Sequence, residues 1–238
     1  MYPGGDTNRT AVEIESFVTL CVKHLETADY PTRAALAKFV GHILASSQVE
    51  RPILSAEALR KNKKVEEKED EDIVATNATS EDLKPIMTPS EMFMQLSSHF
   101  NKPQASHRTR IGIFSFYLTL LTTLGSSFVE RNYSLVVEHF MTEVISHPRN
   151  HSSRHEILVV RTLVGAALRE LVGIRMLGEQ AQIFAIQELS SAYLKRWPAM
   201  LPGQTSPAPL VLVIALREVT GLLQQLGNAP PLVQVRHR

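Results

Sequence analysis

Apolar residues recur at intervals of three and four along most of this sequence, in segments that come in pairs. The later pairs repeat about every 40 to 50 residues. This pattern constrains the fold more than any other feature. Spacing of three and four gathers the apolar side chains on one helix face, and a short turn between two such helices makes an antiparallel hairpin. Each hairpin keeps an apolar face that only a neighbouring hairpin covers, so successive hairpins stack. No segment alternates apolar and polar residues over a convincing strand length. The fold class read from the sequence is all-α: an alpha-alpha superhelix, a HEAT/armadillo-like solenoid, of about four helical hairpins.

The hairpins are placed at 11–48, 89–125, 127–176 and 178–227. In the first, Val12, Phe17, Leu20, Cys21 and Leu25 fall at helical spacing, with Thr10 as N-cap and Glu13 completing a capping box. Pro31 suits the first turn of the second helix, which carries Ala35, Leu36, Phe39, Val40, Ile43 and Leu44. Thr88-Pro89-Ser90-Glu91 is a second capping box, opening a helix with Met92, Phe93, Leu96 and Phe100. Helices are predicted over 107–124, over 128–146 as one piece, and from a Ser152 or Ser153 cap to about Leu177. Gly178 opens the next, to about Arg196. A Pro-rich loop follows from Trp197 to Pro209, and the last helix, started by Ser206 and Pro207, ends near Leu226 with Gly227-Asn228 as its stop.

Three regions follow from this reading: 1–48, a first HEAT-like hairpin; 49–87, an insert; and 88–238, three further HEAT-like hairpins. The insert is set apart by charge. Lys61 to Asp72 holds ten charged residues in twelve, and the surrounding apolar anchors are few. Such a segment buries too little apolar surface to offset chain ordering and is expected to be disordered. After the last hairpin Pro230-Pro231-Leu232-Val233 offers no polar closing helix, so the array is expected to be truncated at its C-terminus.

Composition narrows the functional classes. Lys and Arg total 25 and Asp and Glu total 24, a balance that argues against a nucleic-acid binder driven by bulk charge. A single cysteine, Cys21, excludes an internal disulfide and fits a reducing compartment. The first residues lack the basic and apolar regions of a signal peptide, so the Asn8, Asn77, Asn132 and Asn150 sequons read as chance matches. Ile111 to Val129 carries no charge and nears the length of a membrane span. Its polar and small residues gather at the C-terminal end, however, and the strongly apolar part, Ile111 to Leu124, has the length of a core helix.

No constellation announces catalysis. Nucleophile-elbow, phosphate-loop, dinucleotide and zinc-protease patterns are missing, so the chain is read as a non-enzyme with no catalytic, cofactor-binding or metal-binding residue. His147, His151 and His155 would share a face on one continuous helix, but Pro148 interrupts them and they read as exposed loop histidines. Cys21 reads as a core cysteine, and Gly165, Gly173 and Gly178 as packing positions. Asp29 and Arg33 flank the first turn; one reading makes them a polar ladder to the next hairpin, the other a solvated pair. Arg161, Arg169, Glu170 and Arg175 are most simply a solvated helix face, with a concave binding surface as the second reading.

Several blocks resemble the N-terminal region of the HEAT repeat-containing protein 5 family: Thr19 to Lys23 through Ala28-Asp29-Tyr30 and Arg33 to Leu44, TTLGSSFVERNYSLVVEHFMTEVISHPR at 122–149, LGEQAQIFAIQEL at 177–189, and ALREVTGLLQQLGNAPPLVQ at 215–234. The resemblance covers most of the chain apart from its start and the charged insert, although members of that family are far longer. It implies a helical-repeat scaffold acting in clathrin-adaptor-dependent vesicle traffic between endosomes and the trans-Golgi network. The partners it implies are the first clathrin adaptor complex and its aftiphilin-like or synergin-like accessories. The implied location is cytoplasmic and peripheral to trans-Golgi and endosomal membranes, with only indirect membrane association and no nucleic acid. The alternative is a generic HEAT/armadillo scaffold in another pathway, nuclear import or phosphatase scaffolding.

Overall fold

The structure, a computed structural model, describes residues 7–49, 51–52, 83–195 and 207–227. Most of the predicted insert and most of the Trp197–Pro209 loop lie outside the described residues, as does everything after Gly227.

The described residues form nine helices: α1 (Thr7–His24), α2 (Tyr30–Ser46), α3 (Pro89–Phe100), α4 (His107–Leu124), α5 (Ser126–Arg131), α6 (Tyr133–His139), α7 (Arg154–Gly165), α8 (Glu179–Leu189) and α9 (Ala208–Gly227). Three run on into wider π-helical turns: α6 over Phe140–Ile145, α7 over Ala166–Met176 and α8 over Ser190–Leu194. Among the described residues the fold is all-α apart from one two-residue antiparallel pairing, β1 (Arg51–Pro52) with β2 (Leu83–Lys84), in the register Arg51 to Lys84 and Pro52 to Leu83.

Local chemistry explains where four of these helices begin. Asp29 caps α2, its carboxylate accepting from the Thr32 amide at 2.9 Å, with Pro31 in the first turn. At α3 the capping box is complete: the Glu91 amide donates to Thr88 Oγ1 at 3.2 Å, and Glu91 Oε2 accepts from the Thr88 amide at 2.7 Å. Ser106 caps α4 through the Thr109 amide at 3.1 Å, and Ser153 caps α7 through the Glu156 amide at 3.2 Å. Gly125 ends α4 with a φ of 79°, a left-handed conformation that glycine adopts without a Cβ clash.

Packing follows chain order. The substantial helix contacts fall within a hairpin or between neighbouring hairpins. First helices meet first helices, α1 on α3, α3 on α6 and α6 on α8; second helices meet second helices, α2 on α4, α4 on the π-helical extension of α7, and α7 on α9. A single apolar core runs through these contacts from Val18 and Leu25 to Ile214 and Leu222. Phe93, Phe100, Phe116 and Phe140 are wholly buried in it, each contributing roughly 1.5–3 kcal/mol by leaving water.

Polar contacts at the turns tie neighbours together. Arg108 donates to the Ala28 carbonyl at 2.6 Å, Arg149 to the Ala105 carbonyl at 2.7 Å, and Glu130 accepts from the Gly178 amide at 2.8 Å. Glu26 accepts from Thr109 Oγ1 at 2.8 Å and from Ser106 Oγ. Asp29 is not part of this ladder, since its carboxylate is spent on its own helix.

Three sequence expectations need correction. α1 starts at Thr7, which places Thr10 inside the helix rather than at its cap. The single helix predicted over 128–146 is broken at Asn132, whose side-chain amide donates to the Phe128 carbonyl at 2.9 Å and whose φ of −113° leaves the helical range. The edges of the 49–87 insert are ordered, through the β1–β2 pairing, the Ile86 amide on the Ser47 carbonyl at 2.9 Å, and Gln48 Nε2 on the Met87 carbonyl at 3.0 Å. Two strand residues are too few to leave an alternating pattern. The core helix expected over Ile111 to Leu124 is found in α4, where Ile113, Phe114, Phe116, Tyr117, Leu120 and Leu121 are core residues.

Candidate functional site

The second helices of the third and fourth hairpins, α7 and α9, approach closely because two glycines let them. A Cβ on Gly173 would lie 3.3 Å from Leu222 Cδ2, and one on Gly221 would lie 3.3 Å from the Arg169 side chain. Further towards the start of both helices the surfaces part and leave a cleft of about 280 Å³. Arg161, Arg169 and Glu170 line it from α7 and its π-helical extension, and Arg217 and Glu218 line it from α9. Gly165 opens onto it: a Cβ added there meets nothing within 4 Å.

The charges in the cleft are unevenly satisfied. Arg169 is held by Glu170, its Nε donating at 2.8 Å. Arg161 and Arg217 make no hydrogen bond or ion pair among the described residues. Glu218 is 5 % exposed and likewise has no hydrogen-bond partner among them. Burial pushes its carboxyl up to about 8, against the pull of Arg169 and Arg217 in the other direction, so it stays protonated at neutral pH. The arrangement is a cationic cleft with a neutral carboxyl in its wall.

Three of the four α7 residues that sequence reading singled out, Arg161, Arg169 and Glu170, therefore meet in one cleft, while Arg175 does not line it. Arg217 and Glu218 were missed. Their signal was present, since they are the two charged residues in the otherwise uncharged 20-residue α9. α9 is also the one helix among the described residues long and apolar enough to cross a membrane by length and composition, and a third of that stretch is buried. Val213, Leu216 and Leu223 are exposed along it.

The remaining singled-out residues are placed elsewhere. His147 precedes the 3-10 turn Pro148–His151, the His151 ring lies 2.6 Å from the Ile145 carbonyl, and His155 faces His107 with ring centres 5.9 Å apart. No group of three His, Cys, Asp or Glu side chains that could hold a metal ion occurs among the described residues. Cys21 is 3 % exposed, and burial raises its thiol pKa, the opposite of a reactive cysteine. Deep in the core, Tyr117 Oη lies 2.8 Å from His139 Nε2 against Phe93 and Phe140; burial lowers the His139 pKa to about 4, so the ring is neutral.

No family model matches the chain, and no solved structure matches its fold.

Proposed function

We propose that this chain is a segment of a HEAT/armadillo-like helical solenoid that works as a non-enzymatic protein-interaction scaffold. The observation that carries the reading is the order of packing: first helices stack on first helices, second helices on second helices, and the substantial contacts join hairpins adjacent in sequence. A chain stacked this way presents long helical surfaces and gathers few convergent side chains, which suits extended contact with partner peptides or helices rather than chemistry. The resemblance of the 122–149, 177–189 and 215–234 blocks to the HEAT repeat-containing protein 5 family directs the proposal to clathrin-adaptor-dependent traffic between endosomes and the trans-Golgi network, at the cytoplasmic face of those membranes.

The test is an affinity pull-down of the tagged chain from cytosol, read by mass spectrometry. Enrichment of clathrin adaptor subunits or their aftiphilin-like or synergin-like accessories is the expected result. Enrichment of import cargo or phosphatase subunits instead would sink the trafficking assignment and favour the generic scaffold.

A further inference from the structure

We propose that the cleft between α7 and α9 binds the phosphate group of a phosphorylated serine or threonine on a partner peptide, held by Arg161, Arg169 and Arg217 with Glu218 in the cleft wall. The proposal rests on the scaffold reading only in taking the ligand's carrier to be a protein.

Three guanidiniums face one cleft, and Glu170 offsets one of them. With Glu218 protonated, the local balance is about two positive charges, which matches a phosphate monoester at neutral pH better than a single carboxylate. Arg161 and Arg217 carry unspent donors in the planar geometry that pairs with phosphate oxygens. Glu218 supplies the second, independent observation. Its side chain is 5 % exposed, lines the cleft and has no hydrogen-bond partner among the described residues, so its carboxyl is free to meet a ligand there. The space is adequate: 280 Å³ is roughly nine times the volume share of a water molecule, enough for a phosphoryl group and the side chain that bears it.

The protonated state of Glu218 gives the site a pH signature. The groups facing it are Arg169 and Glu170 from α7 and Arg217 from α9, with Tyr133 of α6 beside it and Glu188 and Tyr193 of α8 beside Tyr133. Burial pushes the Tyr133 hydroxyl well up, so it keeps its proton. Glu218 titrates near pH 8, and once ionised it repels the phosphate.

The experiment is calorimetric titration of the full chain with N-acetyl-O-phosphoserine methylamide, beside the glutamate analogue and inorganic phosphate. Saturable binding of the phosphoserine probe, tighter than either control, is expected at pH 7 and weakens towards pH 9. The Arg161→Gln, Arg217→Gln double variant should bind about tenfold more weakly or worse, the scale of losing charge-assisted hydrogen bonds. Gly165→Leu should do the same by filling the cleft with every charge in place, its fold checked by circular dichroism. Glu218→Gln should lose the weakening towards pH 9, because it removes the group that ionises there. Absence of saturable binding, equal binding of the glutamate analogue or inorganic phosphate, or indifference to both the arginine and Gly165 changes would overturn the proposal. Phosphoserine binding by a chain that captures no trafficking partner would leave the site standing and remove only the trafficking assignment.

Discussion

Arg110 shows what a single residue contributes to the joint between the second and third hairpins. Its side chain is 1 % exposed, its guanidinium sits 4.3 Å over the Phe100 ring, and it donates to Asn150 Oδ1 at 2.6 Å and to Glu156. Burial pulls its pKa down while Glu156 pulls it back up, so the ion pair offsets part of a desolvation cost. Asn150 in turn donates to the Val144 carbonyl and, at 3.1 Å, to Asn101, which makes the network continuous across the joint. Arg110→Ala removes the charge, the stacking and the filler volume together, and should lower unfolding stability by about 3 kcal/mol in urea titrations. Arg110→Met should cost less, because it keeps the apolar stem against Phe100 and Glu156, 24 % exposed, regains water. Equal losses for the two variants would show that the hydrogen bonds, not the packing, hold the joint.

At the level of elements the tightest meeting is α2 on α4. A Cβ on Gly41 would stand 2.7 Å from Thr119 Cγ2 and 3.0 Å from the Leu120 backbone nitrogen. Thr119 cannot swing away freely, since its hydroxyl donates to the Ser115 carbonyl at 3.0 Å and its side chain is β-branched. Gly41→Ala should therefore cost roughly 1–3 kcal/mol of stability by overpacking. Adding Thr119→Ser, which deletes the methyl and keeps the hydroxyl, should recover part of that loss but not all, because the Leu120 backbone stays in place. Thermal denaturation of the two variants checks both claims.

The helices themselves were largely legible in the sequence because caps and turn residues are local chemistry. Pro31, Thr88 with Glu91, Ser153 and Gly125 each mark their helix terminus in the structure, whereas Asp29, read from the sequence as a ladder or solvated residue, is a cap. The π-helical turns were not legible at a period of 3.6. Their trace is a strict spacing of four: Val160, Val164, Leu168, Val172 and Met176 are all buried. In an α-helix a four-residue step overshoots one turn by about 40°, so such a row would wind around the axis. Wider turns over Ala166–Met176 absorb the drift and keep the row against the core. The neighbouring row, Arg161, Gly165 and Arg169, is kept on the cleft side by the same device. Half of the candidate site was thus visible along α7. The other half needed the tertiary contact with α9, which no local pattern encodes.

For the whole molecule the buried titratable groups set a stability profile. His99 and His139 are each held down to about 4, chiefly by burial, from an ordinary value of 6.5. Between those values the unfolded chain takes up protons that the folded chain refuses, so stability falls as pH drops from about 6.5 to 4. Glu218 works the other way. Its folded value of about 8 lies above the ordinary 4.5, so folding needs its proton, and stability falls as pH rises from about 4.5 to 8. Two protons outweigh one below pH 6.5 and the single one acts alone above it. The urea midpoint should therefore peak near pH 6.5, with limbs of about 1.4 kcal/mol per pH unit for each net proton. Glu218→Gln should flatten the alkaline limb, and His139→Gln the acid one. A midpoint that climbs steadily from pH 6.5 to 8 in the parent would contradict the buried Glu218.

The β1–β2 pairing has a practical meaning for anyone building with this chain. The Arg51–Lys84 and Pro52–Leu83 pairs bring two points 33 residues apart in sequence, counting from Arg51 to Lys84, to neighbouring positions on one ladder. Paired strands lie about 4.7–4.9 Å apart, and the two termini of a domain often lie close together at its surface. The α2–α3 connection is thereby a ready splice point. A fluorescent reporter or an affinity module grafted between Pro52 and Leu83 enters and leaves at one spot, leaving Gln48 on Met87 and the seating of α3 on α4 as they are.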